Sequence, residues 1–362
     1  MTSKLSKKKK RVCVAMSGGV DSSVAAALLK EQGYDLVGLF MKLWTDKETS
    51  IENKCCSVDS YNDARKIAHQ LGFKLYTLNF KKQFKKIVVN YFVDKYQSGV
   101  TPNPCVMCNK FIRFELLLNK AKMLNCDFLA TGHYANIKKV GDQYQLFEGR
   151  DKNKDQSYFL NTLTQNKLKY LMFPLGNYTK PEVRKLAKKF NLPVYEKSES
   201  QEICFIPEKT HYPFLKRNLK LNSGPIKSTG GKTLGQHEGL QLYTLGQRKG
   251  IKIGGTGPYY VVKLDYQTNT LIVSSNRDDQ TLLTKKFDLK DINWLKGSKP
   301  TTSEKFGVKI RYQAKTIPCT MKNNEVTLKI AERAIMPGQS AVFYKNEQLL
   351  GGGIIAKIKS TS

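Results

Sequence analysis

Acidic residues are scarce in this 362-residue sequence: 30 Asp and Glu stand against 61 Lys and Arg, a formal charge of +31. That deficit makes a polyanion the first partner to consider. Only ten of the 61 are Arg, so a compositional bias toward Lys competes with that reading. Long apolar runs are missing too. None approaches the roughly 18 residues of a membrane-spanning helix, and the six basic residues of Met1 to Arg11 lead into no apolar stretch of the kind a secretory signal needs. A soluble, cytoplasmic chain with no membrane partner is therefore expected, as a monomer. Histidine is limited to His69, His133, His211 and His237, too scattered for a metal centre, and no metal site is expected. There is no internal repeat and no low-complexity segment beyond the lysine tail. Eight cysteines (Cys13, Cys55, Cys56, Cys105, Cys108, Cys126, Cys204, Cys319) do not make a disulfide-stapled scaffold in a chain this long. In a reducing compartment such thiols are more often buried, metal-binding or catalytic. With 25% charged residues and a mean hydropathy of −0.45, a disordered or fibrous protein is excluded, and two or three domains fit the length.

From Val12 to about Phe205, short apolar runs alternate with amphipathic stretches, the sign of βαβ units around a parallel sheet. Val12–Met16 reads as a buried strand, followed by Ser17, Gly18 and Gly19 and a helix from Val20 to Gln32. Leu36–Met41 and Phe73–Leu78 read as further strands, with a helix between them opened by Ser57 and Asp59 and closed at Gly72. A basic helix over Lys81–Tyr96, a loop over Ser98–Pro104, a helix over Asn109–Leu124 and a strand over Phe128–Thr131 complete a doubly wound α/β domain. Ten glycines between Gly224 and Gly257 stop that rhythm and suggest a small, linker-rich domain. From Asp278 onward, short strands such as Val326–Ile330 and Ala341–Tyr344 alternate with polar turns, which suggests a small β-barrel. The expected division is a basic tail (1–11), the α/β domain (12–210), the small domain (211–277) and the barrel (278–362).

The first motif with chemistry is Ser17-Gly18-Gly19-Val20-Asp21-Ser22-Ser23, set between strand and helix. Its glycines let backbone N–H groups approach a phosphate, and the helix N-terminus adds about half a positive charge. Asp21 is odd in a pure anion site, since a carboxylate repels phosphate; it makes sense mainly with Mg²⁺ between them. The plainer reading is an acidic first-turn residue favouring the helix dipole. It is no Walker motif, and Gly230-Gly231-Lys232-Thr233 is none either, because Ile226 stands where the first glycine is required; that stretch reads as a turn. Strand, loop and helix together resemble the pyrophosphate-loop ATP enzymes, which release pyrophosphate and form an adenylated intermediate.

The second motif is Thr101-Pro102-Asn103-Pro104-Cys105-Val106-Met107-Cys108-Asn109-Lys110, two thiols at the mouth of a helix whose positive end raises the thiolate fraction. A third thiol, Cys204, follows in Glu202-Ile203-Cys204-Phe205-Ile206. Structural zinc would need a second spaced pair, and Cys55-Cys56 is adjacent. Cys13, Cys126 and Cys319 read as ordinary buried small hydrophobes.

These stretches, with Ala130-Thr131-Gly132-His133-Tyr134, Lys154 to Leu160, Tyr243 to Arg248, Arg311-Tyr312 and Pro337-Gly338-Gln339, closely resemble the tRNA-specific 2-thiouridylases, the MnmA family. The resemblance covers essentially the whole chain. It implies a pyrophosphate-loop domain (adenine nucleotide alpha hydrolase-like), a small central domain and a β-barrel, together gripping tRNA. It implies ATP held by Ala15, Met16, Ser17, Gly18, Gly19, Val20, Asp21 and Ser22, with Met41 and Gly132 lining the adenosine site. Cys108 would be the nucleophile, Cys204 the persulfide carrier, and Asp21 would serve catalysis, Mg²⁺ accompanying ATP. Asn103, Pro104 and Cys105 would lie at the target base, and His133, Lys154, Asp155, Gln156, Arg311, Tyr312 and Gln339 on tRNA. Cys105 departs from members that have Asp there.

Read without the resemblance, His133 is equally a residue capping a strand end, Arg311-Tyr312 an exposed strand pair, and Asp155 a helix cap. The expected activity is ATP-dependent 2-thiolation of the wobble uridine of tRNA, with Lys, Glu and Gln acceptors by resemblance and an external persulfide donor or relay protein. One alternative is another pyrophosphate-loop ligase, which would not need Cys108 and Cys204. Another is a non-catalytic basic tRNA-binding or redox protein, which leaves SGGVDSS unexplained. A third is an iron–sulfur thiolase, since Cys105, Cys108 and Cys204 are enough thiols for a [4Fe–4S] cluster with one open iron. The persulfide route is favoured because exchange through a helix-mouth thiol needs no further component.

Overall fold

The structure, a computed structural model, describes residues 9–46, 48–49, 57–198, 203–208, 210–254, 257–300 and 305–359. Cys55 and Cys56, Gln201 and Glu202, and most of the basic tail lie outside the described residues. Strands β1 (Arg11–Met16), β2 (Asp35–Lys42) and β3 (Lys74–Asn79) are parallel, and β4 (Phe128–Ala130) lies on the other side of β1. The chain then forms a hairpin, β5 (Ala135–Val140) and β6 (Gln143–Glu148), before β7 (Leu171–Met172) completes the sheet beside β4. The order β3-β2-β1-β4-β7 is doubly wound, with its topological switch point between β1 and β4. Alternation along β1 explains why it lies at the centre. Val12, Val14 and Met16 join the apolar cluster on one face of the sheet and Cys13 the cluster on the other, so both faces are buried.

Helix α1 (Val20–Glu31) is buried from Ser22 through Leu29, its alanines letting it lie close between the sheet and the helix Lys180–Lys189. Helix α2 (Val58–Gln70) starts at Ser57, whose hydroxyl accepts from Ser60 N at 3.1 Å. The helix expected from Lys81 runs over 81–97 with a π-helical stretch, Lys85–Val89. The one expected from Asn109 begins earlier, at Pro104, because Asn103 caps it by accepting from Val106 N and proline suits a first turn. It widens to π geometry from Cys108 to Leu117.

The glycine-rich stretch expected as linker holds strands. β8 (Gly224–Ser228), β9 (Thr233–His237), β10 (Tyr260–Asp265) and β11 (Thr270–Ser274) form a four-stranded sheet in the order β10-β11-β8-β9. Gly230-Gly231 is the turn joining β8 to β9, as read from the sequence, with Gly231 at φ +85° donating its N–H to Ser228 O.

The barrel is present and closed. Strands β12 (Leu283–Trp294), β13 (Phe306–Lys309), β14 (Ile317–Lys322), β15 (Glu325–Arg333), β16 (Ser340–Lys345) and β17 (Gln348–Lys359) pair in the order β12-β15-β14-β13-β16-β17, and β12 pairs again with β17. The β5–β6 hairpin, which the sequence reading missed, leaves the α/β domain to add to this barrel through Gln348↔Phe147 and Leu349↔Leu146. The seam is polar and buried. Tyr158 donates its hydroxyl to Ser340 O (2.8 Å), Ser157 Oγ meets Tyr344 Oη (2.9 Å), and Asn293 donates to the carbonyls of Asn161 and Leu163. One apolar cluster runs from Cys13 through Phe205 to Tyr344 and Leu349, so the domains share a core. Among the described residues no helix is long and apolar enough to cross a membrane.

Candidate active site

The SGGVDSS loop leaves the C-terminal end of β1, and Gly132 follows β4, so both stand at the switch point where doubly wound sheets bind ligands. The glycines are required by space. Gly18 has φ +68°, and a Cβ there would lie 2.0 Å from Ser60 O; a Cβ on Gly132 would lie 2.9 Å from the Asp21 carbonyl carbon and 3.0 Å from Ser22 N. Ser22 Oγ accepts from Ser17 N (3.2 Å) and donates to Gly19 O (3.1 Å), curling the loop. No side chain caps α1, so its positive end faces the crevice. Ala15 and Met41 are half-buried and Met16 is buried on the neighbouring strand ends, with Met16 in register with Phe40. Lys197 secures the outer edge, donating to Gly18 O (3.0 Å) and Ser60 Oγ (3.3 Å) while paired with Asp63 (2.7 Å).

Asp21 was expected to need Mg²⁺ to tolerate phosphate. The protein supplies a cation of its own: Lys180 Nζ donates to Asp21 Oδ1 at 2.7 Å, and the Tyr134 hydroxyl donates to the same oxygen at 2.8 Å. Neither partner was singled out from sequence. The signals were there in the oddity of Asp21 and in Thr179-x-x-Glu182, whose reciprocal bonds form a capping box at the start of the lysine's helix.

Cys105 is exposed and Cys108 buried in the first turns of the helix over 104–123. Asn109, next to Cys108, donates to Phe159 O (3.1 Å), and Asn103 and Pro104 hold the helix start. Gln339, at the start of the barrel's β16, donates its amide to the carbonyls of Thr101 (3.0 Å) and Pro102 (3.2 Å), so the barrel grips the segment leading into the thiol helix. Cys204 is half-buried in a turn closed by Ile206 N donating to Ile203 O. Phe205 anchors that turn edge-on to Phe84 and Phe92. Cys108 belongs to the apolar cluster against which Cys204 packs.

Several residues expected on tRNA come together here from distant parts of the chain. Lys154–Gln156 and Arg311–Tyr312 are neighbours, because Gln313 donates to Asn153 O (3.0 Å). Tyr312 lies 4.5 Å, ring to ring, from Phe159. Burial, then the charge of Asp155, pushes its phenol up. Arg311 is exposed and paired with Glu332 at 2.7 Å; it and Tyr312 lie in the bend after β13, not in the strand pair considered from sequence. Asp155 is buried and accepts from Gly149 N, Ser157 N and Ser157 Oγ; the cap position of the short 3₁₀ turn Ser157–Leu160 is Gln156, not Asp155 as the sequence suggests, and Asp155 instead ties Gly149 to the start of that turn. Gln156 accepts from Tyr134 N.

His133 is 5% exposed, beneath these residues, with Phe114 and Phe173 against its ring. Arg113 can only donate, so its contact with Nε2 (3.3 Å) puts the ring proton on Nδ1, which donates to Thr131 Oγ1 at 2.6 Å. Burial, reinforced by the Arg113 charge, holds this imidazole well below its ordinary pKa and therefore neutral. The ring thus links the thiol helix to the end of β4.

Three family models match in order: a tRNA methyl transferase HUP domain over 10–208, a tRNA methyl transferase PRC-barrel domain over 212–275 and an aminomethyltransferase β-barrel domain over 284–355. A tRNA-specific 2-thiouridylase of Geobacter metallireducens is 45% identical, covering 96% of this chain and 97% of its own. The chain belongs to the tRNA-specific 2-thiouridylase family. Other members are as near, such as those of Clostridium tetani (45%, covering 96% of this chain and 99% of its own) and Halothermothrix orenii (45%, covering 95% and 98%). As a 2-thiouridylase family member the chain uses the pyrophosphate-loop architecture described above. Among the described residues no three His, Cys, Asp or Glu side chains are grouped so as to hold a metal ion.

Proposed function

We propose that this enzyme replaces O2 of the wobble uridine of tRNA with sulfur at the expense of ATP. The observation that carries the reading is the conjunction, in one chain, of an uncapped, glycine-built phosphate cradle at the end of β1 with a helix mouth that bears Cys105 and Cys108. Methyl transfer, the activity in the family models' descriptions, would need no such cradle.

The uridine oxygen is a poor leaving group, so it first attacks the α-phosphorus of ATP, and pyrophosphate departs into the loop between Ser17 and Ser22. Mg²⁺ accompanies the nucleotide, and Asp21, with 35% of its side chain exposed, is the carboxylate beside the loop. The outer sulfur of a persulfide on Cys204 then attacks C2, and AMP leaves with the oxygen. Cys108 attacks the Cys204 sulfur, the S–S bond breaks, 2-thiouridine is released and a Cys108–Cys204 disulfide forms. An external dithiol returns two electrons, and a persulfide-carrying protein reloads Cys204. Lysine, glutamate and glutamine tRNAs are the acceptors by family resemblance, and the cytoplasm is the compartment where they are met. Lys154, Gln156, Arg311 and Tyr312 would receive the anticodon arm. Mass spectrometry of tRNA nucleosides from cells with and without the gene tests the reading. Disappearance of 2-thiouridine derivatives is expected; an unchanged level would overturn it.

A further inference from the structure

The phosphate loop carries a carboxylate where an anion must bind, and the neighbouring helix brings an ammonium to it. Lys180 is 7% exposed, its Nζ 2.7 Å from Asp21 Oδ1. It is held by more than that bond. The capping box of Thr179 and Glu182 sets the helix start, Pro181 follows, and Asp151 Oδ2 accepts from Lys180 N at 2.9 Å. Tyr134, 2% exposed, donates to the same carboxylate oxygen, with the Lys180 ammonium 6.0 Å from its ring centre. A buried lysine so constrained costs desolvation, and its ammonium is set directly on the acidic residue of an anion site.

We propose that Lys180 is a positioning and charge-balancing residue of the nucleotide site: by neutralising Asp21 and fixing its carboxylate together with Tyr134, it lets the SGGVDSS loop accept a polyphosphate. The proposal rests on the functional reading above and adds to it a residue from outside the motif. Removing the ammonium leaves the carboxylate facing the phosphates uncompensated, so the defect should be repaired by removing the carboxylate as well. A lysine that merely braced the fold would show no such repair.

The test is equilibrium binding of ATP to the full chain in EDTA, which takes Mg²⁺ out of the balance. K180M is expected to weaken binding by about tenfold or more, K180R to stay much closer to wild type, and D21N/K180M to recover most of the loss. Equal binding by K180M and wild type, or a double variant no better than K180M, overturns the proposal. Should K180M fail to fold, as read by its thermal transition, D21N decides: with Lys180 unopposed it should bind metal-free ATP at least as tightly as wild type, and weaker binding refutes the charge-balance role. Failure of the wild type to bind ATP with Mg²⁺ present would sink the functional reading instead.

Discussion

The nucleotide crevice and the thiol region are built in different ways. The crevice is nearly all local: seven consecutive residues turn from β1 into α1, and their shape follows from Gly18 at φ +68° and from serines bonding within the loop. What attends it from far along the chain, Gly132, Tyr134, Lys180 and Lys197, surrounds a loop already shaped by its own residues. The thiol region has no such self-sufficiency. Its helix mouth is gripped by Gln339 of the barrel, its flank is tied to Phe159 by Asn109, and its third thiol arrives on a turn anchored by Phe205. A site made by a local turn needs backbone freedom at a few positions, whereas a site made by assembly needs distant elements to pack in one arrangement.

The largest expected effect separates the two regions chemically. C108A should reduce thiolation to background while ATP-dependent pyrophosphate release with tRNA continues near the wild-type rate, because the cradle does not involve the thiol; loss of both activities together would show that the regions are not separable. G18A attacks the local region. The new Cβ would meet Ser60 O, and left-handed strain adds to overpacking, so a destabilisation of about 2–4 kcal/mol is expected together with loss of ATP binding. Denaturant titration and nucleotide binding check it, and a neutral result would mean that the loop is more plastic than its contacts imply.

Q339A attacks the assembled region from the barrel. Losing both hydrogen bonds to the Thr101 and Pro102 carbonyls should slow thiolation about tenfold, equivalent to roughly 1.4 kcal/mol, without slowing pyrophosphate release. A uniform fall in both rates would argue against a clamp specific to the thiol helix. The smallest effect concerns the link between the regions. His133 is neutral in the fold and its pKa is depressed, so the unfolded chain binds a proton that the native one refuses. Stability therefore rises with pH, being fully present above about pH 6.5 and lost as the pH falls below it. H133Q should flatten that part of the pH–stability curve while leaving stability at pH 8 nearly unchanged, as measured by urea unfolding across pH 5–8.

Much of this is legible in the sequence. The strand–SGGVDSS–helix unit, the helix mouth at Cys105–Cys108 and the barrel are written in adjacent residues, in periodicity and in turn chemistry. The strands hidden in the glycine-rich stretch were not, because glycine at turns and bulges masks the alternation between them; β8 and β9 both shift register partway. Nor was the β5–β6 hairpin assignable, since its pairing partner Gln348–Leu349 lies far away in sequence. His133 and Asp155 were candidates for tRNA contact, and in the fold each is buried and engaged with protein partners.

The sequence by itself determined where backbone must bend and which chemistries are present: glycines where a Cβ cannot fit, prolines and Asn103 at a helix start, thiols on a helix mouth, a large cationic excess. These are properties of a residue and its immediate neighbours, and they survive without a fold. Tertiary structure alone decided which charges meet. Asp21 faces Lys180, Gln339 reaches Thr101, and Arg113 reads His133 across gaps in sequence that no local pattern spans. Those pairings exist because burial removes water as the competing partner, and that happens only once sheet, helices and barrel close over one core.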